Sequence, residues 1–215
     1  MNNIAKCRIT GGDLTEIIDF GQQPLGNGFL NNSDFSDEYY FNMKLGINDE
    51  SKMVQLYYQP EPDKMFHEDY AFFSSTSISM SKHFEELYYS IINSDYLSDN
   101  PFVVELGCND GILLRHFADN GIDHLGIEPS TNVAKVANSK GIRTISKFFN
   151  ELIAADIVDD FGKADVVISA NVMCHIPEII HVVKGLKKLI KDNGVLIFED
   201  PYLGDVIQKT SYDQI

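Results

Sequence analysis

Short apolar runs alternate with helix-patterned segments across the second half of the chain. The runs are rich in β-branched and leucine side chains and cover residues 102–106, 125–128, 143–146, 165–170 and 195–199. The segments between them place apolar residues three and four positions apart, which is the spacing of one helix face. Regular alternation of strands and helices favours parallel strands joined by crossover helices. The pattern therefore predicts an α/β fold with a doubly wound parallel sheet over a core of residues 101–200.

Two longer amphipathic segments predict helices of their own. Residues 79–97 carry an apolar stripe at helical spacing, formed by Met80, Phe84, Leu87, Tyr88, Ile91 and Ile92. A second helix is expected to begin at Pro177 and to end at Gly194, because proline suits the first turn and glycine the residue after the last. We expect the first helix to tie the N-terminal region to the sheet and the second to pack on the sheet.

The N-terminal region has a different pattern. Two strand-like runs, 39–47 and 52–58, flank the polar residues 48–51 and predict a hairpin. Residues 19–30 are rich in turn formers. We predict a small β-rich domain over residues 1–75, followed by a larger domain over 76–215. The first domain is too small for a confident core of its own, so a metal or the neighbouring domain is expected to stabilise it.

The composition limits the partners and the cellular compartment that we expect for this protein. The 215 residues carry a formal net charge of −15, which disfavours nucleic acid and anionic lipid as partners. No long uncharged apolar run or secretory leader is present in the sequence, so we expect a cytoplasmic protein without a membrane span. The three cysteines lie far apart, which favours reduced thiols. The oligomeric state stays open.

One glycine turn carries the strongest signal for ligand binding. The spacing Glu105-x-Gly107-x-x-x-Gly111 follows a strand and opens a helix, and Glu128 ends the next strand. A carboxylate at that position can accept hydrogen bonds from ribose hydroxyls. The motif differs from the G-x-G-x-x-G of dinucleotide enzymes and resembles the first motif of class I S-adenosylmethionine (SAM) methyltransferases, which have a Rossmann-like sheet. The resemblance implies SAM as cofactor and S-adenosylhomocysteine (SAH) as product; a dinucleotide and plain turn chemistry are the alternatives.

Further candidate residues follow from the carboxyl ends of the predicted strands, where open α/β sheets bind ligands. Asn109 and Asp110 contact the amino acid end of SAM or hold the turn, and Asn171 lies at the same edge. Phe148 flanks adenine or packs in the core. His175 titrates near neutrality and is either the catalytic base or a helix cap. Tyr70 either lines the acceptor pocket or packs against the helix at 79–97.

Several blocks along the chain occur in the order seen in the sugar C-methyltransferase family, which the sequence resembles over nearly its whole length. The blocks are residues 21–30, 53–56, 69–77, 105–111, 126–130, 170–177 and 201–205. The resemblance implies a zinc-binding N-terminal domain, a central SAM domain and a C-terminal domain. It also implies methyl transfer to a small molecule, most directly a nucleotide-activated sugar of polysaccharide or natural-product biosynthesis.

The chain departs from this family at two places. Cys7 is retained, but Thr10, Asn48 and Ser51 stand where the other three zinc ligands align, and such oxygen groups are weak zinc ligands. We therefore predict no zinc, with hydrogen bonds or packing closing the hairpin. Residues 212–215 resemble the start of a catalytic block that the sequence does not reach. Counted independently, the apolar runs predict five strands, whereas class I methyltransferases have a seven-stranded sheet. An O- or N-methyltransferase and a SAM-binding but catalytically incomplete domain are alternatives.

Overall fold

The computed structural model describes residues 6–26 and 30–211 and contains two compact units. The first unit comprises the described residues up to Phe72 together with Pro177–Ile180. The second comprises Phe73–Ile176 and the described residues from His181 onwards. No helix within these described ranges has the length and apolar character needed to cross a bilayer.

The first unit is built on a three-stranded antiparallel sheet. Its strands β1 (Thr15–Pro24), β2 (Tyr40–Ile47) and β3 (Val54–Leu56) lie in that order, followed by a short helix α1 (Pro62–Met65). A 3-10 turn, Asn32–Asp37, connects β1 to β2. The β2–β3 hairpin and the β-rich character of this region are confirmed.

The first half of the turn-rich stretch at residues 19–30 belongs to β1, a strand that was not predicted from the sequence. The pairing of β1 with β2 shifts register between Asp19 and Gln22. Gly21 adopts φ +71°, and its N–H donates to the Asp19 carboxylate at 2.8 Å. Turn-forming residues therefore build a bulge that bends the strand without ending it. The remainder of the stretch falls partly on residues 27–29, which lie outside the described residues.

The second half of the chain alternates strands and helices. After a 3-10 turn, Ser74–Thr76, the elements are α2 (Ile78–Ile92), β4 (Phe102–Leu106), α3 (Leu114–Asp119), β5 (Asp123–Ile127), α4 (Thr131–Ser139), β6 (Thr144–Ile145), α5 (Glu151–Phe161), β7 (Ala164–Ala170), α6 (Ile179–Leu189), β8 (Ile190–Glu199) and α7 (Leu203–Lys209). A further 3-10 turn, Met173–His175, follows β7. Each predicted strand is present.

The five strands form one parallel sheet in the order β6-β5-β4-β7-β8. The order reverses at β4, which has β5 on one side and β7 on the other, as expected for a doubly wound sheet. β8 lies at one end of this order and is an edge strand, because no strand among the described residues pairs with its outer side. The predicted α/β class and parallel sheet are thus confirmed, and β4 ends at the position where such folds bind ligands.

Two boundaries differ from the sequence prediction. The helix predicted over 79–97 ends at Ile92, where the backbone N–H of Asn93 caps the helix. Gly194 does not end α6 but lies inside β8, where a Cβ would come within 2.8 Å of the Asp165 carbonyl oxygen. A helix-stop residue in the sequence thus serves close approach of two strands.

Two apolar clusters hold the sheet between its helices. One gathers Phe84, Tyr88 and Ile91 of α2 with Leu114 and Phe117 of α3. The other, which includes Val104 and Leu106 of β4, gathers residues of α5 and α6: Ala154, Ile157, Val182, Leu186 and Leu189. Burial on both faces explains why the strands are continuous apolar runs and not alternating ones.

A buried ion pair fixes the amino ends of β4 and β7. Asp165 is 3% exposed and accepts hydrogen bonds from Lys191 Nζ (2.7 Å), Phe102 N (2.8 Å) and Ser98 N (3.1 Å). Although burial opposes ionisation, these donors lower the pKa of the Asp165 carboxyl. The carboxylate therefore joins three separate segments at the end of the sheet opposite the candidate site.

Replacing Asp165 with alanine is expected to lower the free energy of unfolding by about 2 kcal/mol, because the change removes the carboxylate from the half-buried Lys191 ammonium and leaves the buried Phe102 N–H without its acceptor. Since the folded-state pKa is lowered, the stabilisation is present above the unfolded pKa of about 3.9 and disappears as pH falls through the folded value. Chemical denaturation of D165A at several pH values measures both effects. The exposed D160A variant should change stability by less than about 0.5 kcal/mol; equal effects of the two substitutions would contradict the assignment.

Candidate active site

The turn between β4 and α3 depends on residues in the left-handed backbone region. Gly107, Asn109 and Gly111 have φ of +65°, +51° and +81°. A Cβ on Gly107 would lie 2.3 Å from Val172, and one on Gly111 would lie 2.2 Å from Ile142. Backbone conformation and protein packing are therefore sufficient to require both glycines, and ligand contact is not needed to explain them.

Three buried carboxylates surround this turn. Glu105, the predicted first residue of the motif, is 2% exposed; Asp110 is 2% exposed and Glu128 is 4% exposed. They come from β4, from the turn and from the residue after β5. The structure thus brings together four predicted cofactor-binding residues, these three and Asn109, in one place at the carboxyl edge of the sheet.

Glu128 is held by backbone N–H groups. Its Oε2 accepts from Asn109 N at 3.0 Å and its Oε1 from Ser130 N at 2.9 Å. Burial raises the pKa of the Glu128 carboxyl, while the bonds from Ser130 and Asn109 favour the ionised form. The acid at the end of β5 is therefore linked directly to the glycine turn.

Asn109 and Asp110 hold a neighbouring segment on the turn. Asn109 Oδ1 accepts from Ser74 N at 2.9 Å, and Asp110 Oδ1 accepts from Ser75 N at 3.2 Å. Asp110 Oδ2 accepts from the Ser75 hydroxyl and from Lys140 Nζ, the latter at 3.0 Å. We call residues 73–77 the strap. The geometry agrees with the turn-holding alternative for both side chains.

Glu105 differs from the other two acids because its Oε2 is buried without a hydrogen-bond partner among the described residues. Burial raises the pKa of the Glu105 carboxyl well above its usual range, and the nearby charges of Glu128 and Asp110 raise it further. An unpartnered buried carboxylate oxygen is energetically unfavourable. A ligand that supplies a positive charge or a hydrogen-bond donor at this point would remove the penalty.

The loop after β7 lies beside the glycine turn, since Val172 contacts the Gly107 position. Asn171 has φ +56°, and its N–H donates to the Glu199 carbonyl at 2.6 Å, which ties this loop to the end of β8. His175 is exposed and ends the Met173–His175 turn. Partial desolvation lowers the pKa of its imidazole and the Asp200 carboxylate opposes that effect, so at neutral pH the ring is suited to accept a proton.

Phe148 and Tyr70, the two aromatic residues predicted to contact a ligand, have different surroundings. Phe148 follows β6 and is 41% exposed, whereas Phe149 packs in the core. Tyr70 belongs to the first unit and lies between two rings, with centroid distances of 5.7 Å to Phe66 and 5.8 Å to Phe72. An acceptor-pocket role for Tyr70 stays a prediction.

Sequence reasoning missed other polar pairs at this edge. His83 of α2 and Glu199 at the end of β8 lie 2.8 Å apart. The Cys174 N–H donates to Asp200 at 3.4 Å. Lys140, which pairs with Asp110, follows α4. These pairs join residues distant in sequence, so no local pattern signals them.

Comparison with known proteins identifies two regions of the chain. A family model described as a methyltransferase domain matches residues 82–214, and one described as a putative zinc binding domain matches residues 7–66. The C-methyltransferase NovU of Streptomyces niveus is 29% identical over 214 residues, which cover 99% of this chain and 51% of NovU.

The ubiquinone biosynthesis O-methyltransferase of Pelagibacter ubique is 25% identical over 108 residues, which cover 50% of this chain and 45% of that protein. The chain therefore spans about half the length of the relatives it matches. Among solved structures, the plantazolicin methyltransferase BpumL in complex with a triazolic desmethylPZN analog and SAH aligns with a TM-score of 0.49 at 13% identity, covering 64% of this chain and 54% of BpumL.

The matches confirm the resemblance drawn from the motifs, in which a zinc-binding type of domain precedes a methyltransferase domain. The methyltransferase-domain model covers more than half of the chain and includes the glycine turn, all three buried carboxylates and the loop after β7. This chain therefore belongs to the methyltransferase-domain family.

Proposed function

We propose that the chain binds SAM at the carboxyl edge of its sheet and serves methyl transfer to a small molecule. The supporting observation is the group of three buried carboxylates, of which Asp110 pairs with Lys140 while Glu105 keeps an unpartnered oxygen. Such a site favours a cationic ligand and disfavours a pyrophosphate. SAM carries an ammonium and a sulfonium group and, when bound, supplies the methyl group.

Different residues of this chain contact different parts of SAM. Glu128 accepts hydrogen bonds from the ribose hydroxyls, and Phe148 flanks the adenine. The glycine turn at residues 107–111, with Glu105 beneath it, accommodates the amino acid end. Asn109 and Asp110 hold the strap and thereby the shape of the turn, and Asn171 fixes the neighbouring loop. No pyrophosphate cradle is needed for this ligand.

The acceptor we propose is a nucleotide-activated sugar bearing a ketone, handled in the cytoplasm. Support comes from the order of the family motifs and from NovU, a C-methyltransferase matched along 99% of this chain. A carbon next to a ketone must lose a proton before it can accept a methyl group. His175, neutral near pH 7, is the candidate base, with Tyr70 as a candidate acceptor contact.

A second candidate is O-methylation of another small metabolite. The observation in its favour is that ubiquinone biosynthesis O-methyltransferases match about half of this chain. For a hydroxyl acceptor His175 would again accept the proton.

The proposed function is tested by incubating the protein with methyl-labelled SAM and a panel of nucleotide ketosugars and phenols. Label in a sugar carbon supports the first candidate, and label in a phenol ether supports the second. SAH binding without turnover indicates a SAM-binding domain that is catalytically incomplete. Absence of any calorimetric signal with SAM and SAH would overturn the proposal.

SAM should bind more tightly as pH rises. Burial raises the pKa of the Glu105 carboxyl in the empty protein, and a bound cation favours its ionised form, so SAM binding should lower that pKa and release protons. Titration calorimetry between about pH 6 and 8, in buffers of different ionisation enthalpy, measures this release. The nearly isosteric E105Q variant should bind about tenfold more weakly and release no proton from this group.

Glu151→Gln on α5 provides the matched control, since it removes a carboxylate that pairs only with exposed Lys188 among the residues described here. Its affinity for SAM and its proton release should equal those of the native protein. Equal affinities of E105Q and native protein at every pH would contradict the role of Glu105 while leaving SAM binding itself intact.

Replacing His175 with asparagine should lower kcat by about 100-fold, because the substitution removes the proton acceptor. The dissociation constant for SAM should stay unchanged, as measured by calorimetry. His181→Asn on α6 is the control and should retain native kcat. A native kcat for H175N would exclude His175 as the base.

A further inference from the structure

Two tight turns of the first unit face each other. In the first, Gly11 N donates to the Cys7 carbonyl at 2.8 Å; in the second, between β2 and β3, Lys52 N donates to the Asn48 carbonyl at 2.9 Å. Each turn presents two side chains three residues apart, Cys7 and Thr10 from one and Asn48 and Ser51 from the other. We call these four residues the knuckle cluster.

The Asn48 side chain is the centre of the knuckle cluster. It is 5% exposed, and its Oδ1 accepts from Ser51 N (2.9 Å), Ser51 Oγ (3.0 Å) and Thr10 Oγ1 (3.3 Å). Its Nδ2 donates to the Asp13 carbonyl at 2.9 Å. One carboxamide thereby joins both turns through four hydrogen bonds.

Cys7 completes the cluster from the opposite side. It is 2% exposed, its Sγ lies 3.3 Å from Ser51 Oγ, and it accepts from Thr10 N at 3.5 Å. Neighbouring contacts of 3.0 to 3.3 Å thus run from Cys7 to Ser51, from Ser51 to Asn48 and from Asn48 to Thr10. These distances place the four side chains about as close to one another as the ligands of one metal ion.

The donor set does not fit the metal that the matched zinc-binding family implies. Structural zinc takes four thiolate or imidazole ligands, whereas the knuckle cluster offers one thiol, two hydroxyls and a carboxamide. The oxygen atoms are already engaged with one another. Within residues 6–26 and 30–211, no group of three or more His, Cys, Asp and Glu side chains is placed to hold a metal ion.

We infer that the Asn48 carboxamide replaces a zinc ion in closing the two turns, so that the first unit folds without metal while keeping the geometry of a four-ligand site. The inference concerns the first unit alone and is independent of the proposed function.

The first experiment tests independence from metal. Native protein produced in zinc-supplemented medium should contain less than about 0.1 zinc per chain by elemental analysis, and EDTA should leave its thermal midpoint unchanged. N48A should lower that midpoint by about 5 °C, because it removes the four hydrogen bonds of the buried carboxamide. The control N32A, at an exposed position of the same unit, should not. Stoichiometric zinc in the native protein, or unfolding by EDTA, would overturn the inference.

The second experiment tests the retained geometry. The triple variant T10C/N48C/S51C, which with native Cys7 provides four thiolates, should bind one Co²⁺ with the intense thiolate charge-transfer absorption of a tetrahedral site, and zinc should displace it. EDTA should then lower the thermal midpoint of this variant only. Adding C7S should weaken Co²⁺ binding at least about tenfold. A triple variant that binds no metal would show that the four positions do not form such a site.

Discussion

The chain removes Glu105, Asp110 and Glu128 from water around a single backbone turn, and like charges at this density repel one another. The protein compensates the charge of two of these three acids. Asp110 pairs with Lys140 and accepts hydrogen bonds from the strap. Glu128 accepts hydrogen bonds from the backbone N–H groups of Asn109 and Ser130. Glu105 has no hydrogen-bond partner for its Oε2 among the described residues. The sheet order places all three acids at the reversal point beside β4.

The architecture of the second unit follows from local patterns because strands buried on both faces must be continuous apolar runs. The Val103–Val104 run and its counterparts therefore identify the sheet and, through crossover handedness, its parallel sense. Gly194 and the bulge at Gly21 could not be assigned in the same way. Glycine commonly marks the end of a helix or strand. Here Gly21 permits a bend within β1, and Gly194 permits the close approach of β8 to β7. Both effects depend on a partner strand that is distant in sequence.

The residues of the candidate site also fall into those that a local sequence pattern predicts and those that it does not. Gly107, Gly111 and Glu128 are recognisable because motif spacing reflects a strand, a turn and the next strand. The bonds from Ser74 and Ser75 to the turn, and the His83–Glu199 pair, link segments separated by 35 and 116 residues. Long-range polar pairs leave no periodic pattern in the sequence, so only the folded structure reveals that Asn109 and Asp110 of the turn also hold the strap.

The two facing turns of the first unit bring four side chains together. Backbone hydrogen bonds within each turn fix where these side chains point, irrespective of what the side chains are. The hydrogen bonds centred on the Asn48 carboxamide then join the two turns through oxygen and nitrogen atoms of the protein itself.

The outer edge of β8 is open to backbone pairing. The strand is ten residues long, and Phe198 is 62% exposed near its end. Among residues 6–26 and 30–211 no strand pairs with this edge. A strand added there would gain backbone hydrogen bonds and would cover the Phe198 ring.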